Sequence, residues 1–396
     1  MHDWSALVLG RAISEIGIIR KKFFEDKGYK ISFMNENLVD PLWETRPTCY
    51  KDIFVHEEWA GTSAADKIKW VQNKITELKG NGALFTDLSE ICWVLNVRSS
   101  EIPYNPFMKS VLLVGKQGEK HTLFLPEAHP CHKEISKELE EHFARNNVQI
   151  KPYPYTPLPE GLLYRKKSCN FDIFQSLVAP IDWSSIGVYR AARHPKEQDG
   201  FRSCHIRDGI AMAGFWGWRS KKESVGEFEA AEEIDRRRHL LKHNRGLSFD
   251  TISGGGPNAA IVHYHPSNNP DFIITKDMIH LLDSGGQYLD GTTDVTRTFH
   301  FGNPTDAEKD AYTRVLLGNL DVERLVWPKD SDIHGGDIDV LARRRLWQNK
   351  LDYGHGTGHG VGHFEGVHEG PCGISKYNSQ VFAPGMIVSN EPGYYE

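Results

Sequence analysis

The 396-residue sequence has no excess of positive charge, no CxxC pair, no N-x-Ser/Thr sequon with a permitted middle residue and no long uninterrupted apolar run. Each absence excludes something. A net charge of −6 removes the basic face that a nucleic-acid binder needs. Six scattered cysteines, Cys49, Cys92, Cys131, Cys169, Cys204 and Cys372, read as free thiols of a reducing compartment rather than a disulfide framework. The apolar start, Trp4 to Ile19, is broken by Arg11 and Glu15; it has neither the basic head of a secretory signal nor the length to span a bilayer. The expectation is a cytoplasmic protein with neither nucleic acid nor membrane among its partners. The runs Arg236-Arg237-Arg238 and Arg343-Arg344-Arg345, with acids nearby, read as solvated helix faces.

What is present is an ordinary globular composition, 39% hydrophobic and 25% charged, over a length that calls for two or three domains. Residues 1–40 read as a helix near Ser5–Lys22 and a strand Lys30–Met34, too little to bury a core and so the tail of something larger. Residues 41–185 alternate helix and strand, a small α/β domain in which no chemistry is found. There Ile68, Val71, Ile75 and Leu78 recur at helical spacing behind Thr62 and Ser63. Residues 186–396 change character. Helices are expected near Pro195–Arg219, at Ser224–His243 behind a Ser224/Glu227 capping box, behind the Thr305/Glu308 box, and at Asp337–Gln348.

Three segments of this last part carry chemistry. In the first, the apolar run from Met278 delivers Asp283 to a Ser284-Gly285-Gly286 turn, and the chain returns through Thr292-Thr293-Asp294-Val295-Thr296. Two antiparallel strands place Asp283 and Asp294 side by side, and carboxylates so placed in an apolar setting repel unless a cation lies between them. The competing reading makes both aspartates turn caps. In the second segment, His355, His359, His363 and His368 are separated by glycines that permit close backbone approach. Neutral imidazole is the commonest metal ligand among side chains, and the flanking Val361, Phe364 and Val367 weigh against a loose surface loop. In the third, an apolar strand from Met386 ends at Glu391-Pro392-Gly393; alone, Glu391 is a turn residue. Together the two aspartates, one histidine and one glutamate suit hard or borderline cations such as Mn²⁺, and such sets commonly hold two ions.

At these residues the sequence resembles the long, cytosolic-type aminopeptidase P (Xaa-Pro aminopeptidase) of the pita-bread metallopeptidase family M24. The resemblance extends through Glu36-Asn37-Leu38-Val39-Asp40, Gly256-Pro257-Asn258, His263-Tyr264, Asp290-Gly291-Thr292-Thr293-Asp294, His355-Gly356-Thr357-Gly358-His359-Gly360, Val367-His368-Glu369-Gly370-Pro371 and Glu391-Pro392-Gly393-Tyr394-Tyr395. It implies an α/β (α+β) chain, with a creatinase-type α/β middle domain (41–185) before a pita-bread catalytic domain (186–396). It implies two divalent ions, Mn²⁺ foremost, with Asp283, Asp294, His359 and Glu391 as ligands and Glu391 handling the nucleophile's proton. His263 and His368 are similar to the family's substrate-facing, catalytic histidines, and His355 to one that lines the pocket. His363 matches no family role and reads as a satisfied local histidine. The implied substrates are peptides with proline second, and a homodimer is left open.

Two departures accompany the resemblance. Residues 1–40 resemble only the end of the family's N-terminal creatinase-like domain, and the sequence stops before the strand that carries a second bridging glutamate. The expectation is that the parent protein is active while this polypeptide holds metal poorly and is nearly inactive. Two rival readings stand beside the main one: a prolidase confined to Xaa-Pro dipeptides, and a non-catalytic pita-bread module that binds peptides or proteins.

Overall fold

The computed structural model describes residues 6–9, 26–28, 30–33, 50–153, 162–165, 180–181, 184–328 and 331–396. The chain divides into two compact units, one formed by residues 1–57, 62–102 and 107–183, the other by 58–61, 103–106 and 184–396.

The first unit begins with a difference from the sequence reading. Ala6–Leu9 is a strand (β1), paired in parallel with Lys30–Phe33 (β2). A four-residue apolar run fits helix or strand by pattern alone, and the available partner strand decides it. The rest of the expected helix, residues 10–22, lies outside the described residues. Beyond the short strands Phe54–Val55 (β3) and Val97–Arg98 (β5), which pair with each other, the elements are helix Ala64–Glu77 (α1), strand Gly82–Phe85 (β4), helix Leu88–Leu95 (α2), strands Val111–Gly115 (β6) and His121–Leu125 (β7), helix Lys137–Arg145 (α3), and strands Val148–Pro152 (β8), Leu162–Arg165 (β9) and Pro180–Ile181 (β10). Six of the strands form one mixed sheet ordered β10-β9-β4-β6-β7-β8. Helix α1 starts where Ser63 accepts from the Asp66 N–H, and its apolar stripe Ile68, Val71 and Ile75 is buried.

The second unit opens with helices Ser184–Ala191 (α4) and Pro195–Arg219 (α5), strand Ser224–Gly226 (β11) and helix Glu227–His239 (α6). The expected Ser224/Glu227 capping box is absent. Ser224 pairs as a strand residue with Thr275, and α6 is capped from a distance. The Asp271 carboxylate accepts from the Phe228 N–H at 2.9 Å and the Glu229 N–H at 3.3 Å, which frees the Glu227 side chain to turn inward. Strands Asn244–Leu247 (β12), Ile252–Gly255 (β13), Ile273–Thr275 (β14), His280–Ser284 (β15), Gly286–Tyr288 (β16), Gly291–Thr292 (β17) and Val295–Phe299 (β18) follow, then helices Asp306–Glu323 (α7) and Gly335–Trp347 (α8) and strands Gly358–His359 (β19) and Gly373–Ile374 (β20). The Thr305/Glu308 capping box forms as expected. The core lies between the α5–α6 pair and the sheet, with Met212, Phe215, Trp216, Ala230 and Ile234 against Val225, Ile274 and Leu282.

The arginine runs are only partly solvated. Arg238 is fully buried and makes a two-point ion pair with Asp208, Nε to Oδ1 at 2.7 Å and Nη2 to Oδ2 at 3.0 Å; Tyr288 donates its hydroxyl proton to the same Oδ1 at 2.7 Å. Arg343 is likewise buried, with its Nε 2.8 Å from Asp339. Nothing in either run marks which arginine turns inward, because that depends on an acid on another helix or one turn away.

Candidate metal centre

The central sheet has the order β13-β15-β18, and β15 alternates. His280, Leu282 and Ser284 are buried on the helix side, while Leu281 and Asp283 face the other way. This is the period-two rule of a strand. In the antiparallel ladder Asp283 lies opposite Thr296 of β18, so Asp294, two residues before Thr296, comes to the same face. The turn between them demands close packing: a Cβ on Gly285 would stand 2.0 Å from the Thr293 carbonyl oxygen and 2.3 Å from Ser248 Oγ. Thr293 also donates its N–H to Gly286 O and accepts the Gly286 N–H at its hydroxyl, both at 2.9 Å. The turn-cap reading of Asp283 and Asp294 is thereby set aside.

The strand expected from Met386 is reduced to a single bridge at Val388, yet the histidine segment and this C-terminal stretch still meet by backbone pairing. Ser389 N–H donates to His359 O and Glu391 N–H to Thr357 O, both at 2.8 Å, and Gly360 bridges to Val388. A side chain at 358 would strike Ser389 O, with a Cβ only 2.0 Å away, so the glycines here serve close approach. The register puts His359 Nε2 at 3.0 Å from Glu391 Oε1 and 3.2 Å from Asp294 Oδ2. Its Nδ1 lies 2.9 Å from Gly360 O. Donation to that carbonyl fixes the tautomer and leaves Nε2 for a ligand.

The electrostatics agree. Burial, then the Asp294 and Glu391 charges, push Asp283 up to about 7, and its Oδ1 is buried with no hydrogen-bond partner. Burial works against the charged form of Glu391, but hydrogen bonds from His359 and Ser389 hold it below the usual carboxylate range. Burial likewise opposes a charge on His359, and the Asp294 and Glu391 carboxylates overcome it, lifting the imidazole to about 10. Two carboxylates on one imidazole, with Asp283 and its orphaned oxygen in electrostatic reach of both acids, form an oxygen-rich donor set that fits a divalent cation.

His368, itself exposed, stands beside this group. Its ring centroid is 4.1 Å from that of His359, and one ligand atom each of Asp294, His359 and His368 lie within 4.8 Å of one another. Burial, then the neighbouring His359 and, more weakly, His263, lower the His368 pKa. His263 is exposed on the loop after β13. His355 stands at the edge, its Nε2 3.0 Å from the Tyr395 hydroxyl. His363 stays apart as expected: it is buried against Glu197 and the edge of Phe201. Sequence reasoning missed two supporting residues. Thr296 hydrogen-bonds Asp283, and Ser389 donates to Glu391 Oε1 at 2.5 Å. Ser389 lies two residues before Glu391, and Thr296 lies two after Asp294, so strand alternation is the signal that could have found both.

Comparison with known proteins covers the same part of the chain. Residues 199–396 match the profile of metallopeptidase family M24, and residues 45–186 that of the creatinase/prolidase N-terminal domain. The probable Xaa-Pro aminopeptidase P of Laccaria bicolor is 40% identical over 394 residues, covering 92% of this chain and 59% of its own. The chain thus spans about three fifths of the length of that relative. A crystal structure of X-prolyl aminopeptidase from Caenorhabditis elegans, described as a cytosolic enzyme with a di-nuclear active site, superposes with a TM-score of 0.86 at 30% identity, covering 100% of this chain and 67% of the other. A Xaa-Pro dipeptidase from Bacillus anthracis shares the fold, with a TM-score of 0.65 at 21% identity over 84% of this chain and 91% of the other.

Proposed function

The chain belongs to metallopeptidase family M24, a creatinase-type α/β domain leading into a pita-bread domain, and on that premise we propose that it acts as a metal-dependent aminopeptidase, releasing the N-terminal residue from peptides with proline in second place. The observation that carries this reading is the meeting of His359 Nε2 with the Asp294 and Glu391 carboxylates, beside an Asp283 that burial and the same acids push up to about 7. The similarity to enzymes described as Xaa-Pro or X-prolyl aminopeptidases supports it. We draw the boundary between the creatinase-like and pita-bread domains at residue 185.

Asp283, Asp294, His359 and Glu391 would hold two divalent cations, with Mn²⁺ our choice for such ligands. When bound, such ions acidify a water and polarise the scissile carbonyl. The chain's own groups do the rest. Glu391 accepts the nucleophile's proton, and Ser389 steadies its carboxylate. His263 and His368 face the substrate, where one imidazole donates to the developing oxyanion and the other supplies the proton that a departing proline nitrogen, lacking an N–H of its own, requires. His355, held by Tyr395, lines the pocket. No helix among the described residues is long and apolar enough to cross a membrane, and the worm enzyme is described as cytosolic; we place this protein in the cytoplasm.

The test is to strip the protein with a chelator, restore Mn²⁺, and follow release of arginine from Arg-Pro-Pro against Arg-Pro. Metal-dependent cleavage of the tripeptide is expected of the parent protein, and weaker cleavage of this polypeptide. Cleavage of the dipeptide alone would make it a prolidase, and absence of metal uptake would make it a non-catalytic peptide-binding module.

A further inference from the structure

Glu227 opens helix α6, yet its carboxylate points into the protein and is fully buried. Among the described residues no lysine or arginine pairs with it. Its charge is met instead by three donors from one short stretch of chain. The Gly255 N–H donates at 2.7 Å, Asn258 Nδ2 at 3.1 and 3.2 Å to the two oxygens, and the Tyr264 hydroxyl at 2.6 Å. The helix N-terminus adds a favourable potential for the anion. A carboxylate so satisfied fixes whatever holds the donors, because releasing any donor leaves a buried charge short of a partner.

Those donors sit at the start, middle and end of the segment 255–264. Gly255 ends β13, the strand that pairs with the strand of Asp283, and Tyr264 follows His263 directly. Between them the chain makes a tight turn, Gly256–Ala260. A Cβ on Gly254 would stand 2.9 Å from the Asn258 backbone, so the turn folds onto the strand end. The His263 ring itself is exposed and takes no hydrogen bond among the described residues. Its position is therefore set by backbone, and the nearest fixed point of that backbone is Tyr264, held by Glu227.

We infer that Glu227 is a positioning residue: by clamping Gly255, Asn258 and Tyr264 it holds His263 in reach of the metal centre. This rests on the reading of His263 as substrate-facing. A buried carboxylate with three donors could instead serve stability alone, and the two roles separate in experiment. Glu227→Gln replaces one acceptor oxygen by a donor facing the Tyr264 hydroxyl and Asn258 amide. Tyr264→Phe removes a single donor and leaves Glu227 two, so it keeps the question open to test if the first variant folds poorly.

The measurement is turnover of Arg-Pro-Pro together with metal content, thermal midpoint and the His263 ring C–H resonance, assigned by its loss in His263→Ala. The expected result is a fall in kcat of about 10–100-fold for Glu227→Gln, the range usual for groups that orient an active-site residue at one remove, and a smaller fall for Tyr264→Phe. KM and metal content should hold, and the His263 resonance should shift in both variants. Adding either change to His263→Ala should cost nothing further, because the effect passes through His263. Multiplicative losses in the double variants, or an unmoved His263 resonance in Tyr264→Phe, would overturn the inference. A His263→Ala protein with undiminished kcat would instead remove the substrate-facing reading of His263, and the inference with it.

Discussion

His359 Nε2 lies 3.0 Å from Glu391 Oε1, a contact in which, if His359 is the ligand we propose, one proton and one metal ion compete for the same place. With His359 lifted to about 10 by Asp294 and Glu391 against the cost of burial, the metal-free protein carries a proton there at neutral pH. Metal binding must displace it. Affinity for Mn²⁺ should therefore rise with pH between 6 and 9, by about tenfold per unit for each proton released. Titration calorimetry in two buffers of different ionisation enthalpy counts the protons; zero release would contradict the assignment of His359 as a ligand.

Asp283 supplies a second prediction, with a stability cost attached to function. Its folded-state value, about 7, lies above the ordinary 3.8. The stability it contributes is present at low pH and lost as pH rises through 7, where the carboxylate must ionise beside Asp294 and Glu391. Asp283→Asn should abolish metal uptake yet raise the thermal midpoint of the metal-free protein at pH 8, by the equivalent of a few kcal/mol. Denaturation scans with and without chelator read both effects.

His280 carries the opposite sign. It is buried between Phe215, Trp216 and Ser253, and burial, helped by the Arg219 charge, pushes it from 6.5 down to about 3. The unfolded chain takes up a proton first on acidification. The stability it contributes is whole above pH 6.5 and should fall by roughly 1.4 kcal/mol per unit below it. Urea midpoints for His280→Gln should then change less between pH 7 and 5 than those of the parent.

Behind the histidine segment, Arg193 donates to Val361 O at 2.8 Å and to the Glu369 carboxylate, with Arg190 beside Glu365 at 3.6 Å. All four side chains are buried. Arg193→Met removes one partner and leaves Glu369 only Arg190 among the described cations, at 3.6 Å, at a cost of about 1–3 kcal/mol. Because Glu369 adjoins His368, the variant should also lose turnover in proportion beyond its loss of folded protein, as judged by rates normalised to circular dichroism at 222 nm.

Gly285→Ala tests the turn between the two aspartates. With the Thr293 carbonyl only 2.0 Å from the new Cβ, the backbone must shift and carry Asp294 with it. Loss of metal affinity with the helices intact is the expected outcome, measured by elemental analysis after dialysis against Mn²⁺.

The meeting of Asp283 with Asp294 was legible because strand alternation and a glycine turn are local properties. The approach of His359 to Glu391 was not, since it depends on pairing residues 357–359 with 389–391, which no short window encodes. The Ser224 cap failed for the same reason: the local signal was sound, but strand pairing with Thr275 and the Asp271 carboxylate arrived from elsewhere in the chain. Charge runs were the least informative, because Arg238 differs from Arg236 only in facing Asp208.

The two halves of the site also differ in when they can form. Strands β15 and β18 are near neighbours in sequence, and closing so short a loop carries little entropic penalty. The second half needs a longer loop to close, since Glu391 joins His359 only when residues 357–359 pair with 389–391. A folding intermediate in which only the first half has closed should thus hold two opposed aspartates with nothing yet to reconcile them. The apolar packing between that sheet and its helices, not the ligands, then has to carry folding to completion, and cation loading should follow the fold rather than trigger it.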